Sequence, residues 1–317
     1  MSPITTWIFP GQGSQAVGMG REALAASPAA RAVLAEAEAA LGEKIGTLIA
    51  DGPLDALERT AQAQPAILII SIALLEAARE RAAARGESLE TPIFAAGHSA
   101  GQYAAAVAAG ALSIRDAVKL ARIRGNLMQS SGGGRPGAMA AILGLPESEE
   151  RRIVAEGATH GVLVLANRNS PGQIVLSGEV AAIDRAVAAA SAAGAKRAMR
   201  LQVSIASHSP LMEEAAAGMR AALDSVTVHD PKITMLANAN AAPIRTAAGL
   251  RRELSDHLTS GVDWIAAIGA AAAARTERYV EIGYGRVLSG LVKRIPSAAG
   301  AEIVSIDDLP LTSAVVP

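Results

Sequence analysis

The chain has 317 residues, enough for one large core domain with a smaller inserted one. Half of the residues are hydrophobic but only 2% are aromatic, so we expect a core of Ala, Leu, Ile and Val. The 29 basic and 30 acidic residues give a net charge of −1, which argues against binding to nucleic acid or anionic membranes. Cysteine is absent, which excludes disulfides, thiolate catalysis and cysteine-based metal sites.

No membrane or targeting segment is predicted. The first ten residues do not combine a basic region with a long apolar stretch, as a signal peptide does. The most apolar run, residues 66–75, contains Ser71 and falls short of the roughly 18 residues of a membrane-spanning helix. We therefore predict a buried helix in a soluble, cytoplasmic protein.

The first part of the chain alternates between apolar runs and helical patterns. Residues 7–9 predict a central strand that ends at the glycine turn Pro10-Gly11-Gln12-Gly13-Ser14. Two helices are predicted over residues 28–41 and 64–84, followed by a strand over 92–96 and a helix over 100–109. This alternation favours a mainly parallel sheet with both faces covered.

Residues 132–201 show a different pattern. A glycine-rich linker at 131–137, interpreted as a hinge, precedes the predicted elements. These are a strand at 138–143, a helix at 147–155, strands at 162–166 and 173–177, a helix at 181–193 and a strand at 198–203. The β-α-β-β-α-β order is typical of a ferredoxin-like subdomain. We therefore predict an α/β protein, with a large domain of residues 1–131 and 202–317 and a small domain of residues 132–201.

The helix–strand alternation resumes after the small domain, with strands predicted at 233–236 and 279–282 and a helix at 266–274.

Ser99 is the first candidate for chemistry. It stands in Gly97-His98-Ser99-Ala100-Gly101, between a predicted strand and a predicted helix. This is the spacing of a nucleophile elbow, whose glycines permit a sharp turn that projects the hydroxyl at a helix N-terminus. The pentapeptide alone also fits a plain strand-to-helix turn. The flanking strand and helix favour the nucleophile.

A serine nucleophile needs a base, and five histidines are available. His208 follows a predicted strand and precedes a helix that begins near Pro210, which is a usual place for a catalytic group. A structural role in the core or at the surface is the alternative.

Arg124 lies on a predicted helix over residues 114–128, together with Arg115 and Arg122. Such arginines are usually solvated, because charged groups are rarely buried without a partner. A buried guanidinium can instead hold a carboxylate through two parallel hydrogen bonds.

Several further motifs occur in order along the chain. They are Phe9-Pro10-Gly11-Gln12-Gly13-Ser14-Gln15, Gln64-Pro65-Ala66, Gly97-His98-Ser99-Ala100-Gly101, Arg122-Ile123-Arg124-Gly125, Asn169-Ser170-Pro171-Gly172-Gln173, Ser207-His208-Ser209-Pro210-Leu211-Met212, Val262-Asp263-Trp264 and Glu281-Ile282-Gly283-Tyr284-Gly285. From about residue 7 to 295 this succession resembles the malonyl-CoA:acyl-carrier-protein transacylases of type II fatty-acid synthesis and the related acyltransferase domains of polyketide synthases. The resemblance implies a large α/β-hydrolase-like domain with an inserted ferredoxin-like subdomain.

The resemblance also implies roles for matching residues. Ser99 would accept an acyl group from coenzyme A as an ester, with His208 as the general base in both half-reactions. A main-chain carbonyl, here that of His257, would orient the imidazole of His208. The N–H groups of Gln12 and Ala100 would form the oxyanion hole.

Substrate recognition follows from the same resemblance. Arg124 would bind the free carboxylate of malonate, Met128 would line the same pocket, and His98 and Asn169 would contact the substrate. The implied partners are malonyl-CoA and a holo acyl carrier protein. No metal or cofactor is implied, since the coenzyme A thioester is a substrate. The chain length favours a discrete, monomeric enzyme.

The chain departs from the family pattern at several positions. His257 and Gly261 replace Gln and Pro of a Q-L-x-x-P-V-x-W motif, which leaves a main-chain acceptor in a more flexible loop. Gln102 stands where Glu is usual. Ala100 and Ser207 are smaller than the usual residues, and the room they leave keeps methylmalonyl or a larger extender open as substrate.

Two other functions are alternatives to malonyl transfer. A serine esterase would use the same elbow but needs an acidic third residue, for which Asp184 and Asp224 offer no convincing site. A docking domain that has lost activity is not expected to retain Ser99, His208 and Arg124.

Overall fold

A computed structural model describes residues 2–131 and 136–309 and the backbone of residues 312–313. The helices are α1 Arg21–Ala26, α2 Pro28–Leu41, α3 Ile45–Asp51, α4 Leu54–Glu58, α5 Thr60–Ala83, α6 Gly101–Ala108, α7 Ile114–Ser130, α8 Glu147–Ala158, α9 Val180–Ala192, α10 Glu213–Asp224, α11 Ala247–Asp256, α12 Trp264–Ala273 and α13 Val287–Val292. The strands are β1 Thr5–Phe9, β2 Glu87–Ser88, β3 Phe94–Gly97, β4 Gly137–Leu143, β5 Leu163–Ser170, β6 Gln173–Glu179, β7 Arg197–Arg200, β8 Thr234–Leu236, β9 Pro243–Ile244, β10 Val262–Asp263, β11 Arg278–Glu281, β12 Glu302–Ser305 and β13 Thr312–Ser313.

The first sheet has six strands in the order β12-β11-β1-β3-β8-β9. Its neighbours pair in parallel, except for the antiparallel edge pair β8–β9. Side chains of a strand alternate between faces, and β1 places Trp7 and Phe9 in one apolar cluster and Ile8 in another. Both faces of the sheet are therefore covered, as predicted, and the carboxyl ends of β1, β3 and β8 lie at one edge.

Helix α5 supplies many residues of the apolar cluster that contains Trp7 and Phe9. It begins at Thr60, one turn before the predicted start at residue 64, and carries Pro65 inside the helix. The prediction placed Pro65 in the first turn, where a missing N–H costs nothing. In the described part of the chain, α5 is the one helix long and apolar enough to cross a membrane, but 83% of its apolar window is buried in the protein.

The second sheet has the order β10-β5-β6-β4-β7. Strands β4 to β7 pair antiparallel and, with α8 and α9, give the predicted ferredoxin-like arrangement. The fifth strand, β10, pairs in parallel with β5 and comes from much later in the chain. The α/β fold class is confirmed, whereas the exact domain boundaries stay a prediction. Residues 132–135 of the predicted hinge lie outside the described residues.

A second boundary that differs by four residues is the end of β5, which continues to Ser170 instead of ending at residue 166. Asn169 and Ser170 therefore belong to the strand, and only Pro171-Gly172 form the turn. The register of β5 shifts twice along β6, which breaks the apolar alternation that a regular strand shows. Because the polar residues at the end of this bulged strand do not alternate with apolar ones, their sequence resembles that of a loop.

Candidate active site

Ser99 sits at the sharp turn between β3 and α6. Its φ of 51° lies in the left-handed region, which a residue with a side chain adopts only where neighbouring structure enforces it. A Cβ on Gly101 would lie 2.1 Å from the carbonyl oxygen of Phe9, and one on Gly97 would lie 2.2 Å from the backbone nitrogen of Gln102. The two glycines therefore let the elbow pack against β1 and close on itself.

His208 meets the nucleophile from the loop before α10. Its Nε2 lies 2.8 Å from Ser99 Oγ, and its Nδ1 lies 2.6 Å from the carbonyl oxygen of His257 and 3.0 Å from that of Ser260. Because carbonyls only accept hydrogen bonds, Nδ1 carries the proton and Nε2 presents its lone pair to the Ser99 hydroxyl. The chain thus forms a Ser–His pair that two backbone carbonyls orient.

The surroundings of His208 keep its imidazole neutral. Burial and, to a smaller degree, the charge of Arg124 lower the pKa of His208 to about 4, although its hydrogen bonds to the His257 and Ser260 carbonyls oppose the shift. At neutral pH the imidazole can therefore accept a proton from Ser99.

Arg124 reaches the nucleophile from α7. Its guanidinium is buried, with the whole residue 1% exposed, and Nη2 donates to Ser99 Oγ at 3.1 Å. Its Nε donates to Nε2 of His257 at 3.2 Å. Burial lowers the pKa of Arg124, and no described carboxylate forms a salt bridge with it. The described part of the chain thus places a buried cation beside the nucleophile without giving it a carboxylate partner.

The backbone groups predicted for an oxyanion hole flank the same turn. Gly11 packs so closely on the elbow that a Cβ there would lie 2.3 Å from the carbonyl oxygen of His98 and 3.5 Å from the nitrogen of Ala100. Among the described residues, neither the N–H of Ala100 nor that of Gln12 donates a hydrogen bond. Both donors are available for a developing oxyanion.

His98 and Asn169 form a separate contact at the site. Nε2 of His98 lies 2.9 Å from Oδ1 of Asn169, and the imidazole packs on Trp264 with ring centroids 5.5 Å apart. Burial lowers the pKa of His98, against the opposing effect of the Asn169 hydrogen bond. The contact joins the elbow to β5 of the second sheet.

A cavity of about 530 Å³ opens at Ser99, between the two sheets. Of the predicted site residues, Gln12, His98, Ser99, Arg124, Met128, Asn169 and His208 line it. Ser207 also lines the wall, but Ala100 does not. Of the two small residues, Ser207 is therefore the one that borders the space next to Ser99.

Two residues that hold the elbow were missed by the sequence analysis. Asn238 Oδ1 accepts from the N–H of Ser99 at 2.8 Å, and Glu253 accepts from Asn238 and Gln102. Asn238 follows β8, whose carboxyl end lies at the same edge as that of β3, and this position was the available signal. The described residues contain no group of three or more His, Cys, Asp or Glu that could hold a metal ion.

Residues 6–294 match the model of the acyl transferase domain family. The chain is 41% identical over 290 residues to the malonyl CoA-acyl carrier protein transacylase of Bacillus subtilis strain 168, covering 91% of this chain and 89% of the relative. It is 39% identical over 289 residues to the enzyme of that name from Escherichia coli K12, covering 91% and 92%.

Solved structures give the same result. The acyl-carrier-protein S-malonyltransferase of Bartonella henselae superposes with a TM-score of 0.90 at 38% identity, covering 95% of each chain. A type II polyketide malonyl-transacylase in complex with its acyl-carrier protein superposes with a TM-score of 0.87 at 35% identity, covering 95% and 94%. With a family match over nearly its whole length and relatives of this identity, the chain belongs to the acyl transferase family.

Proposed function

We propose that this enzyme transfers a malonyl group from coenzyme A to the phosphopantetheine thiol of an acyl carrier protein, through an ester on Ser99. The observation that carries the proposal is the buried Arg124 guanidinium, which lies 3.1 Å from the nucleophile and has no carboxylate partner among the described residues. The relatives named as malonyl CoA-acyl carrier protein transacylases support the same reaction.

In the first half-reaction, His208 Nε2 takes the Ser99 proton while Oγ attacks the thioester carbonyl. The N–H groups of Gln12 and Ala100 stabilise the resulting oxyanion. The tetrahedral intermediate collapses with cleavage of the C–S bond, and the proton on His208 passes to the leaving coenzyme A thiolate. Ser99 then carries the malonyl ester.

The second half-reaction runs in the opposite direction. The carrier-protein thiol gives its proton to His208, and its sulfur attacks the ester carbonyl. The Ser99–carbonyl bond breaks, and Oγ recovers the proton from His208. Because the chain's own residues supply the nucleophile, the base and the oxyanion donors, the proposed chemistry requires no cofactor or metal.

Arg124 is proposed to select the acyl group. A guanidinium can hold a carboxylate through paired hydrogen bonds, and an ionic partner offsets the cost of burying its charge. Malonate supplies such a carboxylate and acetate does not. Because Ser207 is small, methylmalonyl-CoA or a larger extender-CoA is the alternative substrate. A competition assay among malonyl-, methylmalonyl- and ethylmalonyl-CoA decides between these substrates.

A serine esterase is the second candidate because it would use the same elbow. The orientation of His208 favours the transferase, since its Nδ1 donates to backbone carbonyls and to no carboxylate among the described residues. The decisive test is to incubate the enzyme with radiolabelled malonyl-CoA. We expect label on Ser99 that moves to a holo acyl carrier protein faster than to water. Free malonate as the main product would instead establish the hydrolase.

Selectivity gives a second test. Replacing Arg124 by Ala should lower malonyl transfer by about a hundredfold relative to acetyl transfer, because two charge-assisted hydrogen bonds are lost. Lys at this position keeps the charge without the paired geometry and should retain an intermediate preference. Equal losses for malonyl- and acetyl-CoA would contradict carboxylate recognition.

We further propose a soluble, cytoplasmic monomer that binds neither nucleic acid nor membranes. The near-neutral charge and the burial of the long apolar helix support this part of the proposal. Light scattering coupled to gel filtration tests the oligomeric state.

A further inference from the structure

Three backbone groups of the nucleophile elbow are held by two side-chain amides. Asn238 accepts from the N–H of Ser99 at 2.8 Å and donates to the carbonyl of Gly97 at 3.1 Å. Gln102 accepts from the N–H of Gly97 at 2.9 Å. Because the left-handed conformation of Ser99 is strained, such contacts are needed to keep it populated.

An amide side chain can reverse its oxygen and nitrogen by rotation, so something must fix which end faces the elbow. Glu253 Oε1 accepts from Gln102 Nε2 at 3.0 Å, from Asn238 Nδ2 at 2.9 Å and from the Asn238 backbone N–H at 2.7 Å. A carboxylate only accepts hydrogen bonds, so it favours the orientation in which both NH₂ groups face it, and for Gln102 the carbonyl of Leu236, at 2.8 Å from Nε2, favours the same orientation. Both amide oxygens then face the N–H groups of Gly97 and Ser99.

Glu253 also lies on the same helix as the residue whose carbonyl orients His208. It lies in the last turn of α11, and its side chain is 9% exposed. Four residues later, His257 caps the same helix and supplies the carbonyl that orients His208. The C-terminal turn of α11 therefore touches the supports of both members of the Ser99–His208 pair.

From these contacts we infer that Glu253 is a positioning residue, which acts through Asn238 and Gln102 to hold the Ser99 elbow in its reactive conformation. It supplies a buried carboxylate beside position 102, where this chain has Gln in place of the usual Glu. Burial raises the pKa of Glu253, against the opposing effect of its hydrogen bonds from Asn238 and Gln102. The inference rests on Ser99 being the acylated residue.

The test is single-turnover acylation of Ser99 by malonyl-CoA, followed by intact mass spectrometry. Glu253→Ala should slow acylation by about tenfold to a hundredfold, with a change in KM of less than about threefold, since misplacing a nucleophile affects the chemical step more than binding. Glu253→Gln keeps the shape and one acceptor oxygen and should lose less. It also tests the inference if Glu253→Ala does not fold.

Exchanging the amide of Gln102 and the carboxylate of Glu253 distinguishes a positioning role of Glu253 from a general effect on stability. Gln102→Glu alone would bring two carboxylates to about the 3.0 Å that now joins Gln102 Nε2 and Glu253 Oε1, would also lose the donor to the Leu236 carbonyl, and should slow acylation. Adding Glu253→Gln removes this repulsion, so the double variant should acylate at least about fivefold faster than Gln102→Glu alone. A purely structural role would change the thermal stability of these variants but leave the acylation rate of their folded fraction at the wild-type value.

Glu281→Gln is the matched control, because Glu281 is a buried carboxylate that accepts from the N–H groups of Leu288 and Ser289, and β1 separates its strand from β3, which carries the elbow. We expect lower thermal stability with normal acylation. Wild-type acylation rates in folded Glu253→Ala and Glu253→Gln, or a double variant no faster than Gln102→Glu, would overturn the inference. Failure of the wild-type enzyme to label at Ser99 would instead overturn the proposed function.

Discussion

Arg124 and the imidazoles of His208 and His257 lie together in the buried wall of the site. Arg124 donates to Nε2 of His257, so that ring is neutral and carries its proton on Nδ1. Burial, followed by the charge of Arg124, lowers the pKa of both His208 and His257. The guanidinium therefore adds to burial in keeping the base unprotonated, besides its proposed role as the partner of a carboxylate.

The pH dependence of acylation should show this effect. With a pKa of about 4 for His208, the rate of Ser99 acylation should be constant from neutral pH to about pH 5 and fall below that, as the base is protonated. In Arg124→Ala the falling limb should move towards pH 6.5, because a neighbouring positive charge is removed. The pH profiles of the wild-type enzyme and of Arg124→Ala are measured as single-turnover acylation rates with acetyl-CoA, whose acyl group lacks a carboxylate. A wild-type limb near pH 6.5 would contradict the interpretation.

The free energy of unfolding should also depend on the protonation of His208. The unfolded chain binds a proton at His208 below its ordinary pKa of 6.5, whereas the folded protein excludes that proton until about pH 4. The contribution of His208 is therefore fully present above pH 6.5 and is lost as the pH falls from 6.5 to 4. Denaturant unfolding at several pH values, compared with His208→Gln, isolates it.

At the scale of elements, the close approach of β1, β3 and α6 determines the elbow. β3 consists of Phe94-Ala95-Ala96-Gly97, and its small residues allow helices to approach both faces of the sheet. The strand, the glycines and the helix were predictable because each has a local sequence pattern. The bulged β5 and the proline inside α5 were not, since packing there overrides the local pattern.

Gly101→Ala tests this packing. Its Cβ would lie 2.1 Å from the carbonyl of Phe9 and 2.8 Å from that of Pro10, so β1 or α6 must shift. We expect a loss of at least about 2 kcal/mol of unfolding free energy and loss of Ser99 acylation. Gly269→Ala in α12 is the control: its Cβ meets nothing within 4 Å, and Ala favours the helix by up to about 1 kcal/mol. Equal stability of the two variants would contradict the packing argument.

At the scale of the molecule, β10 connects the two sheets. It pairs with β5 of the second sheet, and the next residue, Trp264, begins α12 against the first. Asp263 accepts from the N–H of Ala266 at 2.9 Å and pairs with Arg168 at 3.2 Å. Because the cavity lies between the sheets, this connection keeps its two walls together.

Asp263→Ala should lower the unfolding free energy by about 1–2 kcal/mol, mostly through the lost helix cap, since the Arg168 pair is partly exposed and contributes little. Asp263→Asn retains the cap and should lose less. Circular dichroism and tryptophan fluorescence should report one common denaturant transition. Two separated transitions would show that the sheets unfold independently.

The sequence by itself determined the α/β class and the ferredoxin-like unit through the order of its predicted elements. It also gave Ser99 as a candidate through a local motif, and the family resemblance added His208, Arg124 and Gln12. Only the tertiary structure decided that Asn238 binds the N–H of Ser99, that Glu253 accepts from Asn238, and that Ala100 does not line the cavity. Ser99 and Asn238 are 139 positions apart, and they meet because β3 and β8 are parallel neighbours. No local pattern carries that contact; sheet order creates it.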